Sequence, residues 1–89
     1  MAPVTIYTAR VCPYCVAAKR LFDGKGVSYS EVDVTFDHDK RAWLFATTGQ
    51  RTVPQIFIGG EPRGGYIEVA ALERKGELDG LLEASSRSC

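Results

Sequence analysis

Neither sign of charge is in excess in this chain: eleven Lys and Arg residues against eleven Asp and Glu give a formal net charge of zero over 89 residues. Without a basic surplus there is no electrostatic footprint for nucleic acid or for an anionic membrane surface. Long apolar runs are missing too, so no segment reads as a membrane span. The start, Met1-Ala2-Pro3, lacks the charged and apolar regions of a secretory leader, and a cytoplasmic protein is the expectation. Histidine occurs once. His38 sits in a turn before a helix with no second ligand near it, which predicts a surface residue and no metal site. Three cysteines, unevenly spaced, are too few for a secreted disulfide scaffold. Internal repeats and low-complexity linkers are absent. A chain of this length that is 45% hydrophobic can bury one modest core, so residues 1–89 form a single domain with its chemistry on the rim.

What the chain does have is Cys12-Pro13-Tyr14-Cys15, directly after a run of strand-forming residues. Pro3 to Tyr7 is β-branched and aromatic, and Pro13 to Phe22 reads as a helix that begins with a proline. That places Cys12 at a helix N-terminus, where unsatisfied N–H groups and the positive end of the helix dipole favour negative charge on the sulfur. Cys15 follows one turn later on the same helical face, within reach for a disulfide. The pair reads as a redox switch.

The remaining elements alternate. Gly24-Lys25-Gly26 ends the first helix, and Val27 to Val34 alternates as a strand with one face buried, which completes a right-handed βαβ unit with parallel strands. A second helix begins near Asp37, a capping residue, and stops at Gly49. Its consecutive Trp43, Leu44 and Phe45 require at least one large side chain to be partly exposed. Gln55-Ile56-Phe57-Ile58 and the turn signal Gly59-Gly60 start a hairpin, whose return strand Glu61-Pro62-Arg63 must be an edge because proline cannot donate to a ladder. Gly64-Gly65 leads into a helix over 66–73. A last short helix runs from Leu78 to Leu82, and residues 84–89, small and polar, read as a flexible tail ending in an unpaired Cys89.

These elements, taken with Ile6-Tyr7-Thr8, Cys12-Pro13-Tyr14-Cys15, the run Thr48-Gly49-Gln50-Arg51-Thr52-Val53-Pro54-Gln55-Ile56-Phe57-Ile58 and Gly64-Gly65-Tyr66, resemble the small dithiol glutaredoxins across residues 3 to 83. The resemblance implies an α/β thioredoxin-like fold, a four-stranded mixed sheet in the order βαβ-α-ββ-α flanked by helices. It also implies a glutathione-dependent thiol-disulfide oxidoreductase that reduces protein disulfides and glutathione mixed disulfides. Cys12 would be the nucleophile and Cys15 the resolving thiol, with glutathione as co-substrate and no permanently bound cofactor. A monomer is expected, with glutathione and disulfide-bearing or glutathionylated proteins as its partners.

The same resemblance assigns a glutathione site. Val53, before a cis Pro54, would pair through its backbone with the cysteinyl part of the tripeptide, with Thr52 completing the segment. Gly65, Tyr66 and Ile67 would hold the γ-glutamyl carboxylate through free helix N–H groups. Where the family carries an aspartate this chain has Ile67, and the next acidic residue is Glu68. The family's lysine before the first cysteine is also missing, which leaves Arg10, Gln50 or Arg51 to meet the glycyl end. Tyr14 would stand exposed beside the reactive sulfur. Two other readings use the same cysteines. One is a thioredoxin-like electron donor recharged by a flavoprotein reductase. The other is an iron–sulfur module completed by glutathione, against which Pro13 stiffens the loop.

Overall fold

The computed structural model describes residues 2–87, with side chains through 83. Its elements are β1 (Val4–Thr8), α1 (Pro13–Gly24), β2 (Ser30–Asp33), α2 (His38–Thr48), β3 (Gln55–Ile58), β4 (Glu61–Pro62), α3 (Tyr66–Arg74) and α4 (Leu78–Arg87). The strands form one mixed sheet in the order β2-β1-β3-β4, with β1 and β2 parallel and the other two pairs antiparallel. This is the expected thioredoxin-like α/β arrangement.

Side-chain alternation along the two central strands divides the core. Val4, Ile6, Ile56 and Ile58 face α1, α3 and α4, where they meet Ala18, Phe22, Val69, Leu78 and Leu82. On the other face Phe57 packs with Val34 and with Leu44 of α2, and Tyr7, Val32 and Val53 close the edge. All four residues of β3 are buried, as a central strand covered on both faces requires.

Local chemistry explains the boundaries. Asp37 caps α2 by accepting the Lys40 N–H at 2.9 Å, and Gly49 ends the helix in the left-handed conformation at φ 74°. His38, expected in the preceding turn, is the first residue of α2 and is exposed. Of the three large consecutive residues, Leu44 is buried while Trp43 and Phe45 are partly exposed. Trp43 nevertheless stacks on Phe57, its ring centre 5.7 Å away. Pro62 lies on the edge strand opposite Phe57, as its missing N–H demands.

Two boundaries differ from the sequence reading. The second strand pairs only over Ser30–Asp33 and is mostly exposed, because β1 offers it a partner only from Thr5 to Thr8. Val27 and Val34, read as its ends, are instead buried in opposite cores. Val27 is drawn inward as its N–H closes the end of α1 on the Phe22 carbonyl at 3.0 Å. The last helix continues through Arg87, past the expected stop at Leu82, and Leu82 accepts the Ala2 N–H at 2.7 Å. Cys89 lies outside the described residues.

Between β1 and α1 the chain turns through Val11, a β-branched residue held at φ 50° and fully exposed at 101%. A side chain in the left-handed region costs roughly 1–2 kcal/mol, and Val11 has no burial to offset it. Val11→Gly should therefore raise stability by about 0.5–1 kcal/mol after the greater unfolded-state entropy of glycine is subtracted. Chemical denaturation measures this, and a loss of stability would mean that Val11 makes a contact worth more than the strain.

Candidate functional site

The reactive end of the molecule is assembled from three loops at one end of the sheet. Pro13 opens α1, which makes Cys12 its N-cap. The cap geometry turns the sulfur back over the first turn, where Cys12 Sγ accepts the Cys15 N–H at 3.2 Å. An N–H aimed at the sulfur stabilises negative charge there. Across the sheet the antiparallel register Tyr7↔Gln55 brings the loop before β3 alongside, and the Cys12 thiol donates toward the Val53 carbonyl at 3.7 Å. The Val53–Pro54 bond is cis, as the resemblance implies.

The two cysteines are not equivalent. Cys12 is partly accessible and Cys15 is buried, 2% exposed. Burial, reinforced by a hydrogen bond with the Cys12 side chain, pushes the Cys15 thiol from the ordinary 9.0 up to about 12. At neutral pH Cys15 is thus a protonated thiol in the reduced protein.

A groove of about 490 Å³ runs between two walls, and Val53, whose carbonyl meets Cys12 Sγ, lines it. One wall is Gln50, Arg51, Thr52, Val53 and Pro54, the other is Gly65, Tyr66, Ile67 and Glu68, and Tyr14 stands at the cysteine end. Tyr14 stacks on Tyr66 with ring centres 6.1 Å apart, which joins the start of α1 to the start of α3. The glycine pair allows the second wall to come close. A Cβ on Gly65 would lie 3.2 Å from the Pro54 carbonyl oxygen and 3.2 Å from Glu68 Oε1, tighter than ordinary contact. Ile56 donates to the Gly64 carbonyl at 2.8 Å, which fixes the turn into α3. In the first turn of α3, which lines the groove, the N–H groups of Tyr66 and Ile67 have no carbonyl one turn earlier in the helix to accept them.

All the expected groove residues except one come together. Arg10 is the exception: its guanidinium lies over Phe36, 5.2 Å from the ring centre, and its N–H donates to Thr35 Oγ1 at 2.8 Å. Asp33 holds that hydroxyl in turn at 2.6 Å. These bonds turn Arg10 away from the groove, which leaves Gln50 and Arg51 as its cationic and amide donors. Glu68 is present but engaged, since Oε1 accepts the Gly65 N–H at 2.6 Å and caps α3.

One contributor escaped the sequence reading. Gln55, the first residue of β3 and 1% exposed, donates from Nε2 to the Thr52 carbonyl at 2.8 Å and to Gln50 Oε1 at 3.0 Å. It fixes the loop that forms the first wall. The available signal was an amide residue opening an otherwise apolar strand immediately after Pro54.

A glutaredoxin family model matches residues 4–62. The chain belongs to the glutaredoxin family. It is 48% identical over 84 residues to a glutaredoxin of Pseudomonas aeruginosa, covering 94% of this chain and 100% of that one. It is 45% identical over 83 residues to glutaredoxin 3 of Escherichia coli, covering 93% of this chain and 100% of the relative. Among solved structures, a buckwheat glutaredoxin–glutathione complex superposes with a TM-score of 0.87 at 35% identity, covering 96% of this chain and 80% of that one. The protein is accordingly a glutathione-dependent thiol oxidoreductase. The reductase-driven donor and the cluster module gain no support from these relatives.

The displaced Cys15 titration ties stability to pH. As pH rises, an unfolded Cys15 loses its proton near 9.0 and the folded one only near about 12. Stabilisation by the neutral buried thiol is therefore complete below the first value and is lost progressively between the two. Urea midpoints of the reduced protein taken from pH 8 upward should fall more steeply for the wild type than for Cys15→Ser. Parallel curves would show that the Cys15 thiol ionises as easily folded as unfolded.

Proposed function

We propose that the chain reduces both protein disulfides and glutathione mixed disulfides through a Cys12/Cys15 dithiol cycle, with glutathione seated in the groove between Val53 and Tyr66. The observation that carries this reading is the Cys12 sulfur 3.7 Å from the Val53 carbonyl at the head of the groove. A cysteinyl backbone pairing with Val53 as a short added strand has its own sulfur beside Cys12. The Cys12 thiolate attacks the nearer sulfur of the substrate disulfide, an S–S bond forms to Cys12, and the other sulfur leaves as a thiolate that takes up a proton. From a mixed disulfide with a protein, Cys15 then gives up its proton and attacks Cys12 Sγ. The second substrate thiol departs and Cys12 and Cys15 become joined. Two glutathione molecules restore the dithiol and are themselves oxidised to glutathione disulfide.

In the groove, the free N–H groups of Tyr66 and Ile67 meet the γ-glutamyl carboxylate, and Glu68, whose Oε2 is not engaged in the cap, meets the adjacent ammonium. Gln50 and Arg51 meet the glycyl carboxylate, with Thr52 shaping the wall between them. Ile67 contributes no charge where the family carries an acid, so selectivity for the ammonium rests on Glu68 alone. The burial of Cys15 suits its role, because a protonated thiol does not compete with Cys12 for incoming disulfides. The groove is complete within one chain, which supports a monomer, and a dithiol of this kind works in a reducing compartment such as the cytoplasm.

Cys12→Ser should abolish all turnover in an assay coupled to glutathione and glutathione reductase. Cys15→Ser should keep the reduction of a small glutathione mixed disulfide and lose most of the activity on a protein disulfide. Equal loss of mixed-disulfide reduction in both variants would show that the first half-reaction needs both thiols. Turnover with thioredoxin reductase and none with glutathione would replace this reading with the donor one.

A further inference from the structure

On the side of the sheet that carries α1, a chain of polar side chains links the end of β1 to the helix. Thr8 ends β1, and alternation places it on the same face as the buried Val4 and Ile6. Its hydroxyl, in a residue only 2% exposed, donates to Glu31 Oε2 at 2.8 Å. Glu31 stands opposite Ile6 in the parallel register of β2, so it faces the same side. The same carboxylate oxygen accepts from Lys19 Nζ at 3.1 Å. Lys19 lies on α1 one turn past Cys15, and residues four apart on a helix share a face with Cβ atoms about 5–6 Å apart. Two contacts from different elements thus fix an ammonium beside the buried thiol. A hydroxyl placed on an apolar face for this purpose is unusual, since a leucine or valine there would extend the core that Val4 and Ile6 begin.

We propose that Lys19, fixed by Glu31 and Thr8, is a positioning residue for the resolving step, where it stabilises the negative charge that Cys15 carries as it attacks Cys12 Sγ. The proposal rests on the dithiol reading above. In that step Cys15 gives its proton to solvent, an S–S bond forms between Cys15 and Cys12, and the substrate sulfur leaves Cys12 as a thiolate. The difficulty lies in the first part, because a buried sulfur has lost the water that would otherwise stabilise its charge. Burial, foremost, and the hydrogen bond with Cys12 oppose ionisation of Cys15, whereas the Ala9 N–H and the charge of Lys19 favour it. Lys19 is held protonated chiefly by its hydrogen bond to Glu31, and Tyr29 and Cys15 add to this. The groups facing Cys15 are therefore Cys12 and Lys19 of α1 and Ala9 after β1, with Glu31 and Tyr29 acting through Lys19, while Tyr66 of α3 meets α1 at Tyr14. Because Lys19 serves the second thiol, the attack of Cys12 on an incoming disulfide proceeds without it.

The test follows single turnovers of the full-length reduced protein with a symmetrical aromatic disulfide whose released thiolate absorbs light. The parent and every variant carry Cys89→Ser, so that Cys12 and Cys15 alone can react. Attack by Cys12 releases the first thiolate at a rate that depends on concentration, and attack by Cys15 releases the second at a rate that does not. Lys19→Gln should slow the second phase at pH 7 by about two- to fivefold and leave the first unchanged, and Lys19→Arg should restore most of the loss. The Cβ resonance of Cys15, followed against pH with Cys12→Ser added, should titrate at higher pH in Lys19→Gln than in the parent and return with Lys19→Arg. A lysine that only fastened α1 to β2 would not move that titration. An unchanged second phase in Lys19→Gln overturns the proposal, as does a slowed one with an unmoved titration or an equal slowing of both phases. A second phase that is missing from the parent, or that survives in Cys15→Ser, overturns the dithiol reading instead.

Discussion

Pairing of β1 with β3 in antiparallel register is the constraint on which the rest of the site depends. Because Tyr7 lies opposite Gln55, the chain leaving β1 and the chain arriving at β3 meet at the same end of the sheet. Cys12 and Val53 are thus brought together although 41 residues separate them. Shifting the pairing by one residue would turn Ile6 and Ile56 out of the core that holds α1, α3 and α4 and put Tyr7 and Phe57 in their place. The hydrophobic pattern of two short strands therefore sets the distance between the Cys12 sulfur and the Val53 backbone. Gln55 reinforces this from beneath, its buried amide bonded to both Gln50 and Thr52.

Given that geometry, the division of labour between the cysteines follows from burial. Both sulfurs belong to the first turn of one helix, yet one caps it at the rim and the other faces inward toward the core. The N–H of the buried residue serves the sulfur of the accessible one. Each cysteine thus helps the other into its role: Cys15 lends a donor to Cys12, and a hydrogen bond with Cys12, together with burial, holds Cys15 in the neutral form. A substitution that exposed Cys15 would weaken the contrast even if the sulfur–sulfur distance stayed the same.

Much of this was legible in the sequence, because it is encoded by residues with strong local preferences. Pro13, Asp37, Gly49 and the pair Gly64-Gly65 each demand one kind of boundary, and the structure places them at those boundaries. The strand patterns in β1 and β3 carried the topology. Features set by long-range competition were harder to read. Arg10 is adjacent in sequence to the reactive loop, but Thr35, 25 residues away, takes its N–H and Phe36 takes its side chain. Val27 continues an alternating pattern, yet closing α1 draws it into the core before any strand can form. Glu68 was recognisable as the only nearby acid, whereas its engagement with Gly65 depends on a glycine pair that lets the carboxylate fold back.

That engagement bears on how the chain manages without an acid at position 67. A carboxylate that caps α3 through one oxygen is fixed in place, and a fixed carboxylate at the groove wall meets an ammonium with less loss of freedom than a mobile one. The same negative charge lies within one turn of the N–H groups that the proposed binding mode offers to the γ-glutamyl carboxylate, and in that mode it repels the carboxylate while attracting the ammonium. The two effects oppose each other, and the orientation of the ligand decides their balance. With Ile67 60% exposed and uncharged at the mouth, the wall is less acidic than it would be with carboxylates at both 67 and 68. Arg51 is the cation of the opposite wall, and under the proposed binding mode it sets the field along the groove, so a ligand is held more by the negative charge it carries toward Arg51 than by the positive charge it carries toward α3.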